Sequence, residues 1–123
     1  MLNKPKHNLF RNGVYALEGL ADIIKNETSF KWQILLFVCA GVVAWVLPIA
    51  FSYSAILSLS LFIPLLAEII NSAIERVVDL VTQDYHILAK NAKDAGAAIV
   101  LISLVLTLLI WGATLAVAFG VVS

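Results

Sequence analysis

Hydrophobic and polar positions along this chain sort into long uninterrupted blocks. From Trp32 to Ala67 there is no Asp, Glu, Lys or Arg, and from Ala95 to Ser123 there is none either. An α-helical membrane span needs about 20 apolar residues. The first block, 36 residues long, therefore predicts two spans, and the second block one. Pro48 and the Ser52-Tyr53-Ser54 cluster supply the turn signals between the first two. The expected spans are 33–51, 55–78 and 96–119. Ahead of them, Phe10, Val14, Leu17, Ala21 and Ile24 recur at helical spacing, while Arg11, Glu18, Asp22 and Lys25 fall largely elsewhere on the wheel. That pattern predicts an amphipathic helix over residues 7–26, lying in the membrane interface or packed on the bundle. The predicted class is an all-α membrane protein, with one surface helix and three transmembrane helices in a single domain over residues 1–123.

Composition agrees and adds orientation. The chain is 62% hydrophobic and 13% charged, against about a quarter charged in soluble domains. Zero net charge says little, because the charges are segregated. Lys4, Lys6, Arg11, Lys25 and Lys31 precede the first span, and Arg76, Lys90 and Lys93 lie between the second and third. All eight cations thus fall on one side, which the positive-inside rule makes cytoplasmic. The N-terminus is expected inside and Ser123 outside. Charges interrupt the N-terminal segment, which has no signal-peptide pattern. A single cysteine, Cys39, forms no internal disulfide. No nucleic-acid partner is expected.

Candidate chemistry is concentrated in "EIINSAIERVVD", residues 68–79. At about 100° per residue, Asn71, Glu75 and Asp79 lie within about 60° of Glu68, with Ser72 close by. Glu68 sits about 20 Å from an outer helix end near Ala55, below the midplane of a core about 30 Å thick. Glu75 falls near its boundary. An ionisable group at that depth marks a functional site by default. Plainer roles stand beside it. Glu68 can serve packing alone, Asp79 can be solvated, Glu27 and Lys31 have the spacing of an i, i+4 pair, Lys93 can be a topology charge and His86 a loop residue. A transporter, an interfacial enzyme and an accessory subunit all fit a polar stripe. The first and third spans carry no charge to continue an ionic path outward. Glu27, Lys31, the stripe, Lys93 and Asp94 instead gather at one depth, which suits phosphate chemistry on a lipid. No G-x-x-x-x-G-K-[ST], D-F-G or H-R-D motif of nucleotide enzymes is present.

The stripe resembles the signature of the prokaryotic diacylglycerol kinase family, E-x-x-N-S-A-I-E-x-x-V-D. The likeness extends to "NETSF" at 26–30 and "DYHILAKNAKDAG" at 84–96. It implies a homotrimer of three-span subunits in the bacterial inner membrane, transferring the γ-phosphate of MgATP to a lipid alcohol. That alcohol is diacylglycerol, giving phosphatidic acid, or undecaprenol in one branch. By this resemblance Glu68 is the general base, and Glu27 and Glu75 hold Mg²⁺. Asn71 lies between them, and Lys93 and Asp94 meet the nucleotide. Tyr15, Asp84, Tyr85 and His86 lie near the nucleoside. Ser29, Phe30, Lys31, Trp32 and Gln33, with Glu68 and Ala97, line the lipid path. Three positions depart from the pattern. Asn8 stands where members often carry a nucleotide-contacting arginine, which Arg11 would replace one turn on. Leu17 stands where many diacylglycerol-using members have tryptophan, and Gln33 where some have glutamate.

Segregation of the cations makes topology testable. With Cys39 replaced, a single cysteine at position 123 should react with an impermeant thiol reagent on intact cells, and one at position 90 only after rupture. Labelling of position 123 only after rupture would refute the orientation.

Overall fold

The computed structural model describes residues 8–123; the expected helix start at residue 7 lies outside them. Among these residues there are five helices and no strand: α1 (Leu9–Asn26), α2 (Thr28–Val46), α3 (Phe51–Ser60), α4 (Phe62–Val81) and α5 (Ile87–Ala118). Three stretches are long and apolar enough to cross a membrane: α2, the α3–α4 run over Phe51–Val81, and α5.

Local chemistry explains where these helices begin and end. The Asn8 side chain accepts hydrogen bonds from the backbone N–H groups of Phe10 at 2.9 Å and Arg11 at 3.4 Å, satisfying amides that the first turn of α1 leaves free. Glu27, extended at φ −119° and ψ 100°, is a one-residue joint between α1 and α2. The second helix consequently starts at Thr28, ahead of the expected 33, and stops at Val46. Leu47 is extended at ψ 142°, as the residue before a proline prefers. The turn occupies residues 47–50, and the Ser-Tyr-Ser cluster expected there lies inside α3. Its serines are compatible with helix because their hydroxyls find carbonyls. Ser54 Oγ donates to Ala44 C=O across the hairpin at 2.7 Å, and the nearby Ser58 Oγ donates to Ser54 C=O at 2.9 Å. Trp45 and Phe51 close the hairpin with ring centroids 5.1 Å apart.

A break at Leu61 divides the second span into α3 and α4. Pro64 has no N–H for the Ser60 carbonyl, and the Leu61 N–H instead reaches Ser58 C=O at 3.3 Å. Ser60 Oγ donates to Leu57 C=O at 2.6 Å and accepts from Trp111 Nε1 at 3.0 Å, tying the break to α5. Leu57 and Pro64 are fully buried here. His86 Nδ1 accepts from the Leu88 N–H at 3.1 Å and starts α5. That helix, 32 residues long, reaches about 48 Å. It outlasts the hydrocarbon core, so its charged first turns, expected before the span at 96, continue the same helix.

The fold brings α4 and α5 together along the polar stripe. Gly96 is buried against Asn71 and Ile74, and an added Cβ would overlap Asn71 Oδ1 and lie 3.5 Å from Ile74 Cδ1. Few large apolar side chains are enclosed, and Leu35, Leu36, Val42, Leu101 and Leu108 all face outward. A soluble monomer rarely exposes so much apolar surface, whereas hydrocarbon accepts it.

The glycine contact sets a prediction. Gly96→Ala should destabilise the protein by about 1–3 kcal/mol, the usual cost of overpacking, read as a lowered thermal midpoint in micelles. Gly112→Ala, with nothing within 4 Å of its added methyl, should be neutral or stabilising.

Candidate active site

The polar groups on the inner face of α4 are met by α1, α2, the joint between them and α5, or by one another. Glu68, half-buried, accepts a hydrogen bond from Gln33 Nε2 on α2 at 2.7 Å. Asn71 Nδ2 donates to Glu75 Oε1 at 3.2 Å, while its Oδ1 turns toward the Gly96 backbone of α5. Ser72 Oγ donates to Glu27 Oε2, which also accepts from Arg76 Nη2 at 3.0 Å. Arg76 Nη1 pairs with Asp22 on α1. Asp79 accepts from Lys93 Nζ on α5 at 2.7 Å. Two buried acceptors among the described residues have no donor: Gln33 Oε1 and Asn71 Oδ1. A stranded buried polar atom costs about 1–3 kcal/mol, and both lie beside carboxylates of the stripe.

A second group of candidates surrounds the connection between α4 and α5. Thr82, Asp84, Tyr85, His86, Lys93 and Asp94 contribute to a cleft of about 390 Å³. Thr82 Oγ1 fixes the loop by accepting from the Asp84 N–H at 3.1 Å. Tyr85 is 81% exposed, a free aromatic face at the cleft mouth. Lys90 pairs with Asp94 at 2.6 Å. The cations here are therefore each held by an aspartate.

Other expected site residues are placed apart. Arg11 and Tyr15 are exposed on α1, with no bond to the Asp84–His86 segment. On α2, Phe30 is buried at 4% exposure, while Ser29, Lys31 and Trp32 are exposed, as is Ala97 on α5. The i, i+4 pair between Glu27 and Lys31 does not form, because Arg76 takes Glu27 instead. Arg76, Asp22 and the Ser72–Glu27 bond were not anticipated. Their only sequence signal was that Asp22 and Arg76 carry opposite charges.

No three His, Cys, Asp or Glu side chains among the described residues form a metal cage. Mg²⁺ does not need one: it takes one or two carboxylates, with water and substrate phosphates completing its shell. Glu27 Oε1 and Glu75 Oε2 have no partner among the described residues, so each of these carboxylates offers one open hard oxygen. The donor set fits that ion.

Known proteins resemble this chain over most of its length. Residues 14–115 match the family model described as prokaryotic diacylglycerol kinase. The chain is 36% identical over 104 residues to a diacylglycerol kinase of Helicobacter pylori strain 26695, covering 85% of this chain and 81% of that protein. It is 35% identical over 97 residues to that of Escherichia coli K12, covering 79% and 80%. For Haemophilus influenzae Rd the identity is 34% over 114 residues, covering 88% and 92%.

The pairing of Arg76 with Asp22 and Glu27 should govern how firmly α1 docks. Arg76→Gln, or Asp22→Asn, should raise the mobility of a nitroxide at position 13 on α1, read by electron paramagnetic resonance with Cys39 replaced. Molar salt should do the same to the parent protein, because the pairs are exposed and screening there acts within about 3 Å. Unchanged spectra would assign the docking to Ile23, the buried apolar side chain of α1.

Proposed function

The chain belongs to the prokaryotic diacylglycerol kinase family, and on that premise we propose that it transfers the γ-phosphate of ATP to the hydroxyl of diacylglycerol. Phosphatidic acid forms at the cytoplasmic face of a bacterial inner membrane. The observation that carries this reading is the half-buried Glu68. It sits on a membrane-crossing helix, one oxygen bonded to Gln33 and the other without a partner. A lipid hydroxyl approaching from the bilayer needs such an acceptor, and the nucleotide needs cations on the aqueous side. Glu68 lies on α4, and Lys90 and Lys93 lie on the first turns of α5.

Phosphoryl transfer depends chiefly on positioning and charge stabilisation. Glu68 accepts the hydroxyl proton as the lipid oxygen bonds to the γ-phosphorus, and ADP leaves. Glu27 and Glu75 would hold Mg²⁺, which supplies charge neutralisation at the phosphates when bound. Lys93 exchanges Asp79 for a phosphate oxygen, and its exposure makes that exchange cheap. Tyr85 and His86 border the cleft proposed for the nucleoside, with Asp84 and Asp94 as its acceptors. Tyr15 and Arg11 on α1 extend that surface. Asn71 orients Glu75 through its amide. Phe30, with Ser29, Lys31, Trp32 and Ala97, borders the lipid's approach.

Assembly and topology complete the proposal. The described residues of one chain offer three candidate spans and leave their apolar faces open. Closed cyclic association covers such faces, here in a homotrimer. The exposed Leu9, Phe10, Val14 and Leu17 of α1 would rest in the cytoplasmic headgroup layer, with the C-terminus external.

Two glutamates then separate by assay. Glu75→Gln should weaken Mg²⁺-dependent nucleotide binding and turnover together. Glu68→Gln should leave MgATP affinity near normal while lowering turnover about 10²- to 10⁴-fold, measured with γ-labelled ATP and a panel of lipid alcohols. Near-normal turnover of Glu68→Gln would reject the base assignment. Faster phosphorylation of undecaprenol at matched mole fraction would reassign the lipid.

A further inference from the structure

Gln33 uses one end of its amide and strands the other. Its Nε2 donates to Glu68 Oε1 at 2.7 Å, while its Oε1 is buried without a donor. A residue present for packing alone would do better as leucine or methionine, which leave no polar atom unpaired. An unsatisfied buried group in a folded protein calls for an explanation, and here the satisfied end supplies one.

We infer that Gln33 is a positioning residue that acts on the reaction through Glu68, an inference resting on the reading of Glu68 as the base. An ionised carboxylate only accepts hydrogen bonds. The amide must therefore present its nitrogen, since the reversed amide would set oxygen against oxygen. This hydrogen bond fixes Oε1 of Glu68. It leaves Oε2, without a partner among the described residues, as the oxygen available to the lipid hydroxyl. Gln33 is well placed for this, one turn into α2 from Phe30, whose buried ring anchors that end of the helix. A glutamate side chain has three rotatable bonds, and holding it in one arrangement is what turns nearness into rate.

Double substitution separates positioning from lipid contact. Gln33→Leu removes the donor, and Gln33→Met removes it at nearly the same length. Each is made alone and together with Glu68→Gln, and assayed with γ-labelled MgATP and diacylglycerol in mixed micelles. In the parent background kcat should fall about 10- to 100-fold, while KM for MgATP stays within about twofold. In the Glu68→Gln background neither change should cost more than about twofold further, because the group it acts through is gone. Equal losses in both backgrounds, or an effect confined to KM for the lipid, would overturn the inference and make Gln33 a wall of the lipid path. Should Gln33→Leu loosen the fold, the unbranched Gln33→Met carries the same comparison. Normal turnover of Glu68→Gln alone would sink the base reading itself. A normal kcat in both Gln33 variants beside an inactive Glu68→Gln would sink only the positioning role.

Discussion

Hydrocarbon offers no hydrogen-bond partner, so a polar side chain on a membrane-crossing helix must find one in protein or ligand. α4 concentrates that demand. It carries Glu68, Asn71, Ser72, Glu75, Arg76 and Asp79 within three turns, and the other helices are arranged by what these groups require. Gln33 brings the start of α2 to Glu68, Ser72 and Arg76 bring the α1–α2 joint at Glu27, and Lys93 brings α5 to Asp79. Gly96 lets α5 approach Asn71 without a side chain between them. Most side-chain hydrogen bonds between helices are made by that one polar face.

Hydroxyls and carboxylates behave differently under that constraint. Ser58, Ser103 and Thr107 donate to carbonyls of their own helices, so they are satisfied locally and dictate no neighbour. A carboxylate accepts only, and its own helix has already used most of its N–H donors. It must recruit a donor from its own side-chain ladder, as Glu75 does from Asn71, or from another helix, as Glu27, Glu68 and Asp79 do. Acidic residues on α4 and at the α1–α2 joint therefore specify tertiary structure, while the hydroxyls of the outer half, Ser54 and Ser60 apart, merely permit helix.

The same distinction governs what could be read from the sequence. Spans were legible as blocks without charge, and the stripe was legible because 100° per residue needs no tertiary knowledge. Local punctuation misled in one place: Ser52, Tyr53 and Ser54 read as a turn, yet they lie at the start of α3, where the Ser54 hydroxyl bonds Ala44 C=O across the hairpin. The starts of α2 and α5 were set late because charged turns were taken to lie outside the helices. Arg76 with Asp22, 54 residues apart, and Gln33 with Glu68, 35 apart, depend on how helices cross. No periodicity within one segment encodes that crossing. Gln33 was visible as a polar residue near the lipid path, but only the crossing shows which carboxylate it serves.

Burial then divides the site into parts that exchange and parts that stay. Lys93–Asp79 and Lys90–Asp94 are exposed pairs, and exposed pairs are weak because water competes for both partners. A phosphate oxygen arriving with its own charge can displace the aspartate at little cost, so the resting pairs keep the cations compensated without blocking them. The Gln33–Glu68 bond is sheltered, where neither water nor salt competes strongly. In the proposed reaction a nucleotide that enters and leaves each cycle would meet the exchangeable contacts, and Glu68, whose placement as proton acceptor would have to persist across cycles, is held by the sheltered one.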